Sequence, residues 1–200
     1  MEFLERLSCK IGDDLVQSNI VKEEDAEIYI YGINQILVSV LNVSSALIIG
    51  LILEAFFEAV VFMAAYIPLR IFAGGYHAKT PLRCYIFSVI MLVIVSLGIK
   101  YLPLAEWVYY AILLAAAIVV LVLSPVEDRN KPLDEIEHKV YKRRAIFIAA
   151  AELLIGLALR LAGLGNLFVA VVYSFCMLSI MLVAGKVKNY WLAAIFPNDD

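Results

Sequence analysis

The chain alternates long apolar segments with short polar ones, and the segment lengths predict helices that cross a membrane. A crossing needs about 20 apolar residues, because backbone groups in hydrocarbon must form their hydrogen bonds within a helix. The apolar region 28–73 is too long for one crossing and suits two, and single crossings fit 82–99, 108–123, 145–161 and 167–184. The pattern therefore predicts an all-α polytopic fold with about six transmembrane helices.

The polar connections between these segments are short, with one exception. The turn within the first apolar region is poorly marked and falls either at 42–45 or at 50–54, and both positions leave the number of crossings unchanged. The largest polar stretch covers 124–144. Because the chain shows no internal repeat and no low-complexity tract, residues 1–200 are predicted to form a single integral-membrane domain.

Residues 1–25 precede the first crossing and have an amphipathic pattern. Phe3, Leu4, Leu7 and Ile11 recur at helical spacing, with charged residues on the other side. An interfacial amphipathic helix and a soluble helix packed on the cytoplasmic face both fit this pattern. We expect no cleaved signal peptide, because acidic residues come early and an apolar core does not.

Composition and charge agree with a membrane domain. Hydrophobic residues make up 64% of the chain and the mean hydropathy is +0.89, whereas soluble domains contain about 45–50% apolar residues. Of the 16 lysines and arginines, only Lys100 and Arg160 fall on the outer side of six crossings. By the positive-inside rule, both termini and the basic loop 124–144 are predicted to be cytoplasmic.

The segment between the second and third crossings carries the most unusual combination of residues. Gly74 and Gly75 allow backbone conformations that other residues reach only with strain. Thr80 and Pro81 predict a helix start, with Thr as the N-cap and Pro at the first helical position. Cys84 then falls in the first helical turn, where the positive end of the helix favours a thiolate.

His77 lies in the same segment, before Cys84. On an unbroken helix the two residues would stand about 10.5 Å apart along the axis, so a hydrogen bond requires the chain between them to fold back. The imidazole would then take the thiol proton or pair with the thiolate, and N–H groups at the helix start, including that of Cys84, are candidates for an oxyanion hole. Spacing alone favours the simpler interpretation, an interfacial histidine and a space-filling cysteine, over a catalytic pair.

Several residues follow one another along the chain in a characteristic order: Arg70, Gly74, Gly75, His77, Ala78, Cys84, Ser124, Pro125, Asn130, Lys131, Pro132 and Leu133. This order closely resembles the AgrB family, the accessory gene regulator B proteins, which are membrane cysteine endopeptidases of Gram-positive quorum sensing. The resemblance covers nearly the whole chain in length, hydropathy and motif order.

The resemblance implies a specific chemistry. Family members cut the C-terminal tail from an AgrD-type propeptide, hold the remaining peptide on the catalytic cysteine as a thioester, and release it as a cyclic thiolactone or lactone. On this basis Cys84 would be the nucleophile and His77 its base. Arg70 and Gly75 match positions that support the site.

The resemblance also implies partners and location. The turn formed by Asn130, Lys131 and Pro132 matches a loop that is implicated in processing. Acidic propeptide tails suit the charges of Lys79 and Arg83. The basic cluster 142–144 offers similar charge or serves only as a topological anchor. We expect a homodimer in the plasma membrane of a Gram-positive bacterium, with an AgrD-like propeptide and the lipid bilayer as partners, and with no cofactor, metal or nucleic acid.

Two other functions are compatible with the residues. A non-enzymatic membrane carrier or adaptor would use the ionisable residues within the apolar segments, which are Glu58, Glu152 and Arg160. A membrane thiol acyltransferase would keep the cysteine nucleophile but use an acyl donor. Glu152 is also a candidate to orient His77, to pair with Arg160 or to stay protonated.

Overall fold

The computed structural model describes residues 2–76, 78, 80–127 and 133–195, and this part of the chain is helical. In chain order its α-helices are α1 Glu2–Gln17, α2 Ala26–Ile52, α3 Phe56–Ala73, α4 Pro81–Tyr101, α5 Glu106–Leu123, α6 Glu135–Leu161 and α7 Gly165–Ile195. A short 3₁₀ helix, Glu23–Asp25, precedes α2, and the described residues form no strand. The prediction of an all-α fold is confirmed.

Among the described residues, five helices are long and apolar enough to cross a membrane, namely α2, α3, α4, α5 and α7. Large hydrophobic side chains such as Ile36, Phe147 and Leu154 are exposed on the outside of the bundle, where lipid would cover them. α6 is not one of the five, and its apolar part contains Glu152 and Arg160. The crossing at 145–161 therefore stays a prediction.

α7 lies at the centre of the bundle. Half of the most apolar stretch of α7 is buried, compared with 17–28% of the corresponding stretch in each of the other four candidate spans. It packs against α3, α5 and α6 through the buried side chains of Phe168, Val171, Phe175, Leu178 and Leu182. A second apolar cluster joins α3 to α2 and α4. Any segment that docks on α7 is therefore held by the most buried of the candidate spans.

α1 packs along α2, and this contact accounts for part of the amphipathic pattern of α1. Ser8 and Gly12 are buried in this contact, and Gly12 faces Ile30 so closely that no side chain would fit between them. The predicted apolar face is half-buried except for Phe3, which is 74% exposed. The helix is thus anchored on α2 and leaves a free apolar edge near its start.

The turn between α2 and α3 lies at residues 53–55, which is the second of the two predicted positions. Glu54 has a φ of 54° there, and its carboxylate accepts a hydrogen bond from Lys100 at 2.7 Å. Lys100 also donates to the carbonyl of Leu53 at 3.3 Å. This hydrogen bond and the positive charge of Lys100 lower the pKa of the Glu54 carboxyl. The end of α4 is thereby fastened to the turn that starts α3.

Candidate active site

The chain leaves α3 through residues 74–76, which are held between α7 and the stretch that follows α5. The N–H of Gly75 donates to the carbonyl of Val126 at 3.0 Å, and the N–H of Val126 donates to the carbonyl of Ala73 at 2.9 Å. The N–H of Tyr76 donates to the carbonyl of Met181 in α7 at 2.8 Å. Backbone hydrogen bonds therefore define the path of the chain up to residue 76.

Two glycines make this path possible. Gly74 and Gly75 have φ values of 72° and 116°, a region that favours glycine. A Cβ atom on Gly74 would collide with the carbonyl of Val126, and one on Gly75 would collide with the guanidinium of Arg70 and the carbonyl of Met181. The double glycine is therefore required both by backbone conformation and by lack of space.

Arg70 holds the same segment from α3. Its guanidinium donates hydrogen bonds to the carbonyl oxygens of Gly74 and Tyr76. Because arginine offers several donors in a rigid planar fork, it can bind both carbonyls at once. Arg70 and Gly75, which the sequence singles out as supporting residues, thus contact each other and shape the chain that leads to residue 77.

Cys84 lies in the first turn of α4, where its side chain is exposed. The Thr80 hydroxyl accepts a hydrogen bond from the N–H of Arg83 at 3.4 Å, and Pro81 is the first helical residue. The predicted helix start is therefore confirmed. The N–H of Cys84 donates to the carbonyl of Thr80 at 3.1 Å. Contrary to expectation, that N–H is engaged within the helix and is not free to serve as an oxyanion donor.

Residues 74–76 meet α4 close to Cys84. The ring of Tyr76 packs edge-on against the ring of Phe87, with centroids 6.1 Å apart. Phe87 lies about one helical turn after Cys84. The described residues therefore bring the chain before residue 77 and the turn that carries the thiol to the same place.

Five residues that the sequence singles out lie outside the described part of the chain: His77, Lys79, Asn130, Lys131 and Pro132. Arg83 is described and is exposed beside Cys84. Within the described ranges, no three His, Cys, Asp or Glu side chains are grouped so that they could hold a metal ion.

Lys142 and Arg144, two residues of the basic cluster 142–144, make different contacts. The Lys142 ammonium donates to the carbonyls of Leu121 and Ser124, the latter at 2.7 Å, and so caps the C-terminal end of α5. Its partial burial lowers the pKa of this amine. The guanidinium of Arg144 lies 5.3 Å from the centroid of the Phe72 ring. These contacts favour a structural role for Lys142 rather than a role in binding an acidic tail.

The sequence model of one family, Accessory gene regulator B, matches residues 8–184 of the chain. The chain belongs to the AgrB family. This membrane family processes the AgrD propeptide in quorum sensing. An AgrD-type propeptide is therefore the partner that family membership implies.

Relatives of this AgrB protein resemble it along most of its length. It is 26% identical over 159 residues to the Accessory gene regulator protein B of Staphylococcus saprophyticus, covering 80% of this chain and 74% of that protein. It is 26% identical over 196 residues to a Putative AgrB-like protein of Listeria monocytogenes serotype 4a, covering 92% and 94%. No solved structure matches the chain.

The ionisable residues within the helices of this AgrB protein are mostly paired. Glu58 accepts a hydrogen bond from the amide of Asn166 at 3.3 Å. Arg160 forms a salt bridge with Glu106 at 2.6 Å, so its partner is not Glu152 as the sequence allowed. The carboxylate of Glu152 is buried without a hydrogen-bond partner among the described residues. Glu58 and Arg160, two of the three residues that a carrier would need, therefore make contacts that join neighbouring helices.

Three residues that shape the AgrB site could not be singled out from the sequence. Val126 and Met181 hold the 74–76 segment through backbone hydrogen bonds, which nearly any residue type could make. Gly185 in α7 is different, because a Cβ atom there would lie 2.6 Å from the N of Tyr76. A glycine within an apolar span is a recognisable sign of close backbone approach, although it does not identify the partner.

Proposed function

We propose that this AgrB protein is a cysteine endopeptidase that removes the C-terminal tail of an AgrD-like propeptide, with Cys84 as nucleophile and His77 as base. The observation that carries the proposal is the packing of Tyr76 against Phe87. Because residue 77 directly follows Tyr76 and Cys84 lies one turn before Phe87, this contact restricts where the imidazole can be.

The proposed reaction has two transfers of the same acyl group. The imidazole of His77 takes the proton of Cys84, and the thiolate attacks the carbonyl carbon of the scissile bond. The C–N bond then breaks, the amine of the tail leaves with the proton from the imidazolium, and a thioester remains on Cys84. A thiol or hydroxyl within the bound peptide next attacks the thioester carbonyl, which releases the enzyme thiol and closes the ring as a thiolactone or lactone.

In this proposal, the basic residues nearest the thiol bind the acidic tail of the propeptide. Arg70 is occupied by backbone carbonyls, and Lys142 by the end of α5. Arg83 is exposed beside Cys84, and Lys79 is close to it in sequence. We propose that these two residues bind the tail, since complementary charge near the reacting bond both attracts and orients a substrate.

The proposal places the site at the cytoplasmic face. A propeptide made on ribosomes reaches that side first, and the distribution of lysine and arginine predicts that the 70–83 loop faces it. In the same proposal both termini are cytoplasmic, the crossings number six, Lys131 and Pro132 contribute to processing, and the protein acts as a homodimer. Chemical cross-linking in native membranes tests the dimer.

The decisive experiment uses the purified protein in lipid vesicles with a synthetic AgrD-type propeptide. Mass spectrometry of the wild type should show a propeptide fragment attached to Cys84 and a released tail. Cys84→Ala and His77→Ala should remain inserted in the membrane and release no tail. Cys9→Ala is the matched control, because Cys9 is also exposed but lies in α1; it should cleave at the wild-type rate.

Two results would reject the proposal. One is normal cleavage by the Cys84→Ala protein, because no other nucleophile is proposed. The other is loss of function on removing charge at Glu58, Glu152 or Arg160 while the thiol proves dispensable, which is the behaviour of a carrier.

A further inference from the structure

A cavity of about 110 Å³ lies between α2, α3 and α4, adjacent to the proposed nucleophile. Its lining is largely apolar and includes Ala46, Phe62 and Leu92. One further lining residue, Ser88, connects the cavity to the site. Its hydroxyl donates a hydrogen bond to the carbonyl of Cys84 at 3.0 Å. The cavity therefore begins about one helical turn from the thiol.

One lining side chain carries a polar group that lacks a partner. The amide nitrogen of Asn42 donates to the carbonyl of Val38 at 2.9 Å. The amide oxygen of Asn42 is buried and has no hydrogen-bond partner among the described residues. A buried acceptor without a donor is unfavourable, and a ligand N–H placed there would remove that cost.

The volume of the cavity limits its occupant. An apolar cavity of about 150 Å³ can hold a benzene molecule, so this one suits a single aliphatic side chain. The distance from Cys84 to Ser88 along α4 is about 6 Å, and an extended peptide advances about 3.3–3.6 Å per residue. A peptide attached to Cys84 would therefore reach the cavity with the reacting residue or one of the two before it.

We propose that this cavity binds an apolar side chain of the propeptide on the N-terminal side of the scissile bond, while the Asn42 amide oxygen accepts a hydrogen bond from a substrate backbone N–H. The inference rests on the proposed peptidase function and adds its specificity pocket. The apolar lining selects side-chain size, and the unpaired acceptor selects a peptide over a lipid chain, since an acyl chain has no N–H to donate.

The test first fills the cavity with a larger side chain of the protein and then offers propeptides with a smaller side chain, which should fit the reduced space. Ala46→Phe places a ring in the cavity, and Ala46→Leu is a milder version in case the larger residue disturbs folding. With a synthetic AgrD-type propeptide, kcat/KM should fall at least about tenfold, the scale on which one misfit group in an apolar pocket acts. In an alanine scan of the propeptide residues before the scissile bond, one large-to-Ala change should slow the wild type but partly rescue the Ala46 variants.

Two controls separate binding from folding. Val40→Phe adds the same ring on α2 at a side chain that is 58% exposed and does not line the cavity, so cleavage should be unchanged. Alkylation of Cys84 by a small thiol reagent should proceed at the wild-type rate in every variant. Asn42→Leu should raise KM, because it removes the acceptor but keeps the size of the side chain.

The possible failures are distinguishable. If the wild type forms a thioester and the Ala46 variants cleave every propeptide at wild-type rates, the pocket assignment is wrong and the peptidase proposal stands. If the effect of Ala46→Phe varies with lipid acyl-chain length and not with the propeptide side chain, the occupant is lipid and the assignment is likewise wrong. If the wild type forms no adduct on Cys84, both proposals fall together.

Discussion

The ring of Tyr76 lies edge-on to the ring of Phe87, with a centroid distance of 6.1 Å and an interplanar angle of 88°. This contact joins the segment that leaves α3 to the second turn of α4. It depends on the backbone path before it, which Arg70, Val126 and Met181 hold through hydrogen bonds to the chain around residues 74–76. Changes to that path should therefore affect the chemistry at Cys84 without touching the thiol.

The first prediction concerns Gly75→Ala. A Cβ atom there would collide with Arg70 and Met181 at a φ of 116°, so the segment must shift. A displacement of about 1 Å near reacting groups can reduce rate by about 100-fold, and we expect a loss of propeptide cleavage on that scale. The free energy of unfolding should fall by more than about 1 kcal/mol. Cleavage assays and thermal unfolding in detergent measure the two effects.

Gly32→Ala is the matched control for this change. Gly32 lies within α2, and an added Cβ atom would meet nothing within 4 Å. Alanine is the better helix former by about 1 kcal/mol, so stability should hold or rise and cleavage should stay normal. Equal behaviour of the two variants would contradict the role assigned to residue 75.

The second prediction concerns Arg70→Lys, which keeps the charge. A lysine ammonium lacks the planar fork with which Arg70 binds the carbonyls of Gly74 and Tyr76 together. We expect at least about a tenfold fall in kcat, since positioning is lost, while a small reagent still alkylates Cys84. Arg6→Lys, at an exposed position of α1, should leave kcat unchanged. Full activity in Arg70→Lys would mean that charge alone is needed.

The third prediction concerns Lys142→Met. The ammonium of Lys142 caps carbonyl groups at the end of α5, and a hydrogen bond of this partly exposed kind contributes about 1 kcal/mol. Thermal unfolding should therefore shift to lower temperature, with cleavage retained below the transition. Lys139→Met, an exposed change about one turn earlier in α6, should shift it much less. Loss of cleavage without loss of stability would instead assign Lys142 to the substrate.

The fourth prediction concerns the crossing by α6. In a background that lacks native cysteines, Lys139→Cys and Leu164→Cys place a thiol near each end of this helix. A membrane-impermeant thiol reagent should reach them from opposite faces of sealed vesicles. Lys139→Cys should share its face with a separate variant that retains Cys9 as its single cysteine. Labelling of both ends from one face would show that α6 does not cross, leaving five spans.

Local features of the site could be read from the sequence because their causes are local. Thr80 and Pro81 start α4 through contacts within one helical turn, and the lengths of the apolar runs anticipate the helices. The sequence does not distinguish the two candidate positions of the first turn, since the turn at residues 53–55 uses a positive φ at Glu54 and not at a glycine. Its stabilising partner, Lys100, lies far along the chain.

The sequence by itself determined an all-α membrane fold, the glycine pair and a thiol at a helix start, because periodicity, capping and glycine conformation act over a few neighbouring residues. Only the tertiary structure decided that Gly75 binds Val126, that Tyr76 docks on Met181 and Phe87, and that Arg160 pairs with Glu106. These partners are separated by long stretches of sequence. Backbone groups and common apolar side chains can pair with many others, so only the packing of the whole bundle selects among them.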